Sequence, residues 1–295
     1  MSRAYRFRPA ICVAIASSLL AIGAQATLFT GPVSPYYLDN YITKQIYVVQ
    51  GTSVINSFAW AYGAGNGASF NEGNLAVTNV VTTNGFGSEW GSPATAGQYT
   101  LTGSPTAVGH TGQATPGYTK EQQYDGTSDG QYNYAVQYFG VDGSGISANN
   151  VIRTDLNWQN PTVLFSVASS LGACCTYVGI TYDPTNNSLW LGGGLSIDTI
   201  ADYSLSGTLL SSFNTGHNFN AALALDHADN TLWLSKQQST TLEQWSKSGA
   251  LLQIGTPTNL PNGQYLAGEF AIPEPATLAL LGLGLAGLGF SRRKQ

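Results

Sequence analysis

Hydrophobic and polar residues alternate in short runs through the middle of this chain, and the runs recur. Residues 179–191 read Gly-Ile-Thr-Tyr-Asp-Pro-Thr-Asn-Asn-Ser-Leu-Trp-Leu, and residues 222–234 read Ala-Leu-Ala-Leu-Asp-His-Ala-Asp-Asn-Thr-Leu-Trp-Leu. Asp183 aligns with Asp226, Asn187 with Asn230 and Trp190 with Trp233, at a spacing of 43 residues. Each copy predicts a strand, an Asp/Asn turn and a second strand, because Asp and Asn bond their own backbone and tolerate the left-handed conformation. A second matched pair follows, Tyr203 to Leu210 and Trp245 to Leu252, where two strands meet at a Ser-Gly turn. Each unit therefore reads as four short strands in about 43 residues, the size of a β-propeller blade. One such sheet cannot bury both faces, but stacked sheets can, with Trp190 and Trp233 packed between neighbours.

Weaker copies lie upstream. Asp125 to Tyr134, Val151 to Trp158 and Thr162 to Val167 fill the strand positions of another unit, and Tyr99 to Gly103 is similar to the Tyr203 hairpin. Gln45 to Val49 and Ser53 to Phe58 alternate around Gly51-Thr52, while residues 62–73 and 103–119 read as Gly-rich loops. The expected fold is all-β, with about five or six propeller-like blades, six if an N-terminal strand completes the last blade. A β-sandwich with a repeated hairpin is the alternative. The repeats of residues 175–256 resemble those of bacterial propellers of the YVTN/NHL-like group, a resemblance that implies architecture and no activity.

The ends of the chain follow different rules. Arg3, Arg6 and Arg8 precede an apolar run from Ile11 to Ile22, and Ala24-Gln25-Ala26 follows. A basic stretch, a short apolar core and a small-x-small site form a secretory signal peptide, expected to be a helix over residues 1–26 cut after Ala26 by signal peptidase at the Sec translocon. The body is then 27–270. At the other end Pro273-Glu274-Pro275 is followed by an uncharged run, 276–290, and then by Arg292, Arg293 and Lys294. The prolines hold their segment extended, which suits an enzyme cleft that grips backbone. The apolar run predicts a short transmembrane helix, and the basic tail holds its far end in the cytoplasm. This order closely resembles the PEP-CTERM sorting signal of Gram-negative bacteria, over residues 271–295. The resemblance implies recognition by an exosortase, removal of the tail, and a host that makes exopolysaccharide. Gly282, Gly284 and Gly287 mimic a dinucleotide loop but lack a strand before them, so they read as helix-packing glycines.

Composition narrows the function. Charged residues are 9% of the chain, and between 27 and 272 only Lys44, Lys120, Arg153, Lys236 and Lys247 stand against fifteen acids. That body lacks the clustered cations a nucleic acid needs. Cys174 and Cys175 are adjacent, which leaves a vicinal disulfide, free buried thiols, or an intermolecular link or metal as alternatives. No CxxC pair or HExxH occurs. Asp125, Asp129 and Asp142 lie near turns, but none opens a calcium-binding loop of the EF-hand pattern. His227 falls in an Asp/Asn turn, where a surface role is expected. No cofactor or metal is implied. The expected function is a non-catalytic cell-surface or matrix protein binding exopolysaccharide or protein. Tyr36, Tyr37, Tyr118, Tyr124 and Trp90 are candidates to stack on sugar rings. The rival is a metal-dependent polysaccharide hydrolase or lyase on the same scaffold.

Overall fold

A computed structural model describes residues 28–60, 73–85, 95–111, 113–145, 147–167, 176–195, 197–236 and 239–272. Twenty strands fall into five four-stranded antiparallel sheets. The chain opens with β1 (Tyr36–Asn40), β2 (Gln45–Gln50) and β3 (Ser53–Ala59). Blade 2 holds β4 (Asn74–Val77), β5 (Val81–Gly85), β6 (Thr95–Tyr99) and β7 (Pro105–Thr111). Blade 3 holds β8 (Tyr118–Ser128), β9 (Asn133–Asp142), β10 (Ser147–Thr154) and β11 (Thr162–Ser166). Blade 4 holds β12 (Tyr177–Asp183), β13 (Ser188–Gly193), β14 (Thr199–Ser204) and β15 (Leu209–Asn214). Blade 5 holds β16 (Asn220–Asp226), β17 (Thr231–Lys236), β18 (Leu242–Trp245) and β19 (Leu251–Gly255). The last strand, β20 (Tyr265–Phe270), returns to pair with β1 and completes blade 1 as its innermost strand.

The fold is thus a five-bladed propeller with β20, β4, β8, β12 and β16 around its axis. The ring is closed by the C-terminal strand β20 pairing with β1, and the described residues form five blades. Tyr36 stacks on Phe270 at 4.6 Å across the closing pair. Ser34 Oγ donates to Asp226 Oδ1 at 2.7 Å, and the N–H of Thr30 donates to Gln253 Oε1 at 2.7 Å, tying the N-terminal stub to blade 5.

The repeated residues do repeated work. In the β12–β13 and β16–β17 turns, Asp183 and Asp226 accept the N–H two residues on, and Asn187 and Asn230 sit at φ 55 and 60. The two Ser-Gly turns and the Thr102-Gly103 turn of blade 2 share one chemistry. The N–H groups of Ser104, Thr208 and Ala250 donate to the hydroxyls of Thr100, Ser204 and Ser246, each at 3.0 Å. Gly207 and Gly249 take φ near +81 and +86 there, and a Cβ on either would lie within 3 Å of Phe165 or Phe213 of the preceding blade. Each outer strand is thereby wedged against the next blade's turn.

The core lies between blades. Trp190 packs with Leu223 and Leu225 between blades 4 and 5, and Trp233 with Tyr36 and Tyr265 between blades 5 and 1. Between blades 2 and 3 the contact is small: Ala76, Ala96 and Ala135 accommodate Trp158, whose Nε1 donates to Thr82 Oγ1 at 3.2 Å. Trp158 belongs to the turn after β10, not to that strand, and has φ 59. Tyr36 and Tyr37 are buried, which removes them as sugar-stacking candidates: β1 lies inside its sheet and both its faces meet other blades.

Strand order divides the connections between two faces. The first-to-second and third-to-fourth strand turns, such as 184–187, 205–208, 227–230 and 246–250, share one side, here called the turn face. The other side, the loop face, carries the blade-to-blade links and the second-to-third strand loops. No helix among the described residues is long and apolar enough to cross a membrane. The expected signal helix (1–26) and transmembrane helix (276–290) lie outside the described residues.

Candidate functional site: a sealed central channel

Propellers commonly place ligands at the axis, so the inner strands define the first place to look. The register of β8 against β9 slips between Tyr124 and Thr127, and Asp125 takes φ 47. A bulge of this kind re-aims a side chain, and here it turns Asp125 into the axis. Sequence reasoning placed Asp125 near a turn. It is instead fully buried inside a strand.

Its carboxylate is completely engaged. The N–H groups of Gly126 and Gly268 donate to Oδ1 at 2.9 Å each, and those of Ile180 and Leu223 to Oδ2 at 3.0 and 2.9 Å. Asn74 Nδ2 donates to the Asp125 carbonyl at 2.6 Å. One residue therefore touches all five inner strands. The strands β12, β16 and β20 are the innermost edges of their sheets, so N–H groups on that edge face the axis, and β12 and β16 also slip register near Tyr177–Gly179 and Ala221–Ala224. A Cβ at Gly179 would lie 2.4 Å from the Asn220 carbonyl, so these inner backbones meet directly. Burial raises the Asp125 carboxyl well above its ordinary value, against the downward pull of the four backbone donors. Every in-plane lone pair already faces an N–H, so the ionised form fits the geometry.

A second acid, Glu269 of β20, is also buried. Thr181 Oγ1 donates to it at 3.3 Å and the Phe270 N–H at 2.9 Å. Burial raises its carboxyl well above the ordinary range, and Asp125 adds to the rise. Tyr36 Oη closes the assembly by donating to the Ala222 carbonyl.

An apolar stopper fills the axis on the loop-face side. Tyr138, Val178, Phe219, Ala221 and Leu266 form one cluster, with Tyr41, Tyr124 and Phe139 packed against it. Tyr124 meets Tyr138 edge-on at 4.8 Å and remains half-exposed. Around this stopper the loop face is polar. Glu121 accepts from the Thr115 N–H and from Gln137 Nε2, both at 2.6 Å. Asn150 Nδ2 donates to Gln137 Oε1 at 2.5 Å and to Tyr118 Oη at 2.7 Å. On blade 5, His217 Nε2 lies 2.8 Å from Glu243 Oε2, and Trp245 Nε1 donates to the same oxygen at 2.9 Å. Burial acts to raise Glu243, but the bonds from His217 and Trp245 hold it below its ordinary value.

The remaining turn acids bond their own backbone. Asp129 accepts the N–H groups of Gln131 and Tyr132, and Asp142 that of Ser144. Among the described residues no three His, Cys, Asp or Glu side chains converge as a metal site. Ala24, Ala26, Trp90, Cys174, Cys175, Pro273, Glu274, Pro275, Arg292, Arg293 and Lys294 lie outside the described residues. Asp125 as a central anchor was missed because no local pattern distinguishes it from the turn aspartates.

The architecture defines a five-bladed propeller with an occluded axis. The comparisons then identify its terminal segment: residues 271–294 match the PEP-CTERM protein-sorting motif. The chain carries this motif directly behind the propeller, and the motif implies an exported, membrane-anchored precursor that an exosortase processes. Comparison with characterised protein sequences gives no match. Several solved structures are similar at low identity. A functionally unknown protein from Desulfotomaculum acetoxidans is 12% identical over 82% of this chain and 100% of its own, with a TM-score of 0.46. A chain of a nidogen/laminin complex is 11% identical over 81% and 98%, with a TM-score of 0.45. A streptogramin B lyase is 13% identical over 77% and 70%, with a TM-score of 0.41.

Proposed function

We propose that this is a non-catalytic surface or matrix protein that uses its propeller as a rigid display for binding exopolysaccharide or protein. The observation that carries the reading is the occupied axis. Asp125 uses both carboxylate oxygens on backbone donors, and aromatic and aliphatic side chains fill the channel beyond it. The central acids thus serve the ring, and the surface left for a ligand is the loop face. There Tyr118 and Tyr124 are half-exposed beside amide and carboxylate groups, a mixture suited to sugar rings and hydroxyls. In this reading signal peptidase and the Sec translocon export the chain, and exosortase acts at Pro273-Glu274-Pro275. The Arg292, Arg293 and Lys294 tail stays cytoplasmic until it is removed.

The test is a glycan array and a host-exopolysaccharide pull-down with the mature protein. Selective binding that falls at least five-fold in Tyr124→Ala, with folding unchanged by circular dichroism, is the expected result. Absence of glycan binding together with turnover of a polysaccharide would overturn the reading in favour of the hydrolase or lyase alternative.

A further inference from the structure

The place where the chain leaves the propeller constrains how the body meets its surroundings. Inner strands run from the loop face to the turn face, so β20 ends on the turn face. Ala271 packs into the cluster between blades 1 and 2, and the Ile272 N–H donates to the carbonyl of Val77, the last residue of β4. Ile272 is thus pinned beside the axis. Only Pro273, Glu274 and Pro275 separate it from the apolar run. Three extended residues span at most about 11 Å, so an inserted tail holds the turn face close against the bilayer.

The distribution of exposed aliphatic side chains points the same way. Ile55, Leu101, Leu156, Leu210 and Leu252 are exposed, one from each blade in turn. They sit on the third-to-fourth strand turns or at the starts of the outer strands that leave them. Leu209 and Leu251, at the starts of two outer strands, add to this set, whereas the loop-face side has Ile42 and Leu195 on its connections and Leu28 and Ile254 near the end of β19. Monomeric surfaces scatter such residues singly, so a rim of them on one side marks an interface.

We propose that the turn face and its aliphatic rim dock on the membrane interface in the anchored precursor, which aims the loop face away from the membrane. This deepens the display function and rests on the anchoring implied by the sorting motif. The bilayer partner is a zwitterionic one, because Asp129, Asp155, Asp226 and Asp229 lie on the turn face and an anionic surface would repel them.

The experiment uses the signal-processed precursor, tail intact, in phosphatidylcholine vesicles carrying a headgroup quencher. The background is Cys174→Ser with Cys175→Ser. A fluorophore is placed by Ser206→Cys or Ser248→Cys on the turn face and by Ser144→Cys or Asn218→Cys on the loop face. The expected result is at least two-fold stronger quenching at 206 and 248. Adding Leu210→Glu and Leu252→Glu, both at exposed sites, is expected to halve that difference. Equal quenching on both faces overturns the orientation. A difference that survives the glutamates overturns the rim as the docking element. Vesicle flotation reads the anchor separately: protein that does not float removes the anchoring premise and the orientation with it, yet leaves glycan binding by the mature body intact.

Discussion

Replacing Asp125 with asparagine tests whether one carboxylate locks the ring. An amide keeps one oxygen, which still accepts two backbone N–H groups. Its nitrogen then faces the other two, donor against donor. Each buried N–H deprived of its acceptor costs about 1–3 kcal/mol, so Asp125→Asn is expected to lose about 2–6 kcal/mol. A domain of this kind has only about 5–15 kcal/mol in total. The N–H groups deprived belong either to Ile180 and Leu223 or to Gly126 and Gly268, so at least one other blade loosens in either amide orientation. Urea unfolding of the mature protein, followed by tryptophan fluorescence at pH 7, reads the change as a lower midpoint at unchanged slope. A loss below about 1 kcal/mol would refute the reasoning. It would mean that burial has won and that Asp125 is protonated, a state that an amide imitates well.

Other outcomes follow from the same structure. Asp39 is buried, with its carboxyl pushed up from 3.8 to about 7 chiefly by desolvation. The fold therefore favours its neutral form, and stability present at low pH is lost as pH rises from about 4 to 7. One pKa unit is about 1.4 kcal/mol, so Asp39→Asn should gain roughly 4 kcal/mol relative to the parent between pH 4 and pH 8. Urea midpoints that shift equally at both pH values would contradict this. Trp190 Nε1 donates to Asp183, whereas Trp233 Nε1 has no hydrogen-bond partner among the described residues. Trp190→Phe should therefore cost about 1 kcal/mol more than Trp233→Phe, measured by the same unfolding curves. Gly207→Val meets both the positive φ and Phe165, and is expected to lower the thermal midpoint more than Ser206→Val beside it. Mass spectrometry of secreted and cell-associated protein should find chains ending near Pro275 and beginning at Thr27. Full-length tails on all material from an exosortase-containing host would contradict the sorting assignment.

The features readable along the chain are those that repeat locally or are carried by a contiguous segment. Asp183 and Asp226, Asn187 and Asn230, and the Ser-Gly hairpins act within a few residues of themselves, so their spacing announces strands and turns before any fold exists. The sorting segment is likewise contiguous, and its recognition needs no partner elsewhere in the body. Ring closure is different. Asp125 and Gly268 meet across 143 positions, and nothing near either residue encodes the meeting. Separation along the chain also hides the role of Tyr36 and Tyr37, whose two faces are buried only when blades 5 and 2 pack against blade 1. Occlusion of the axis is also a collective property. It requires the inner edges of four blades to bring backbone donors to one carboxylate, and periodicity in a single segment carries no information about that coincidence.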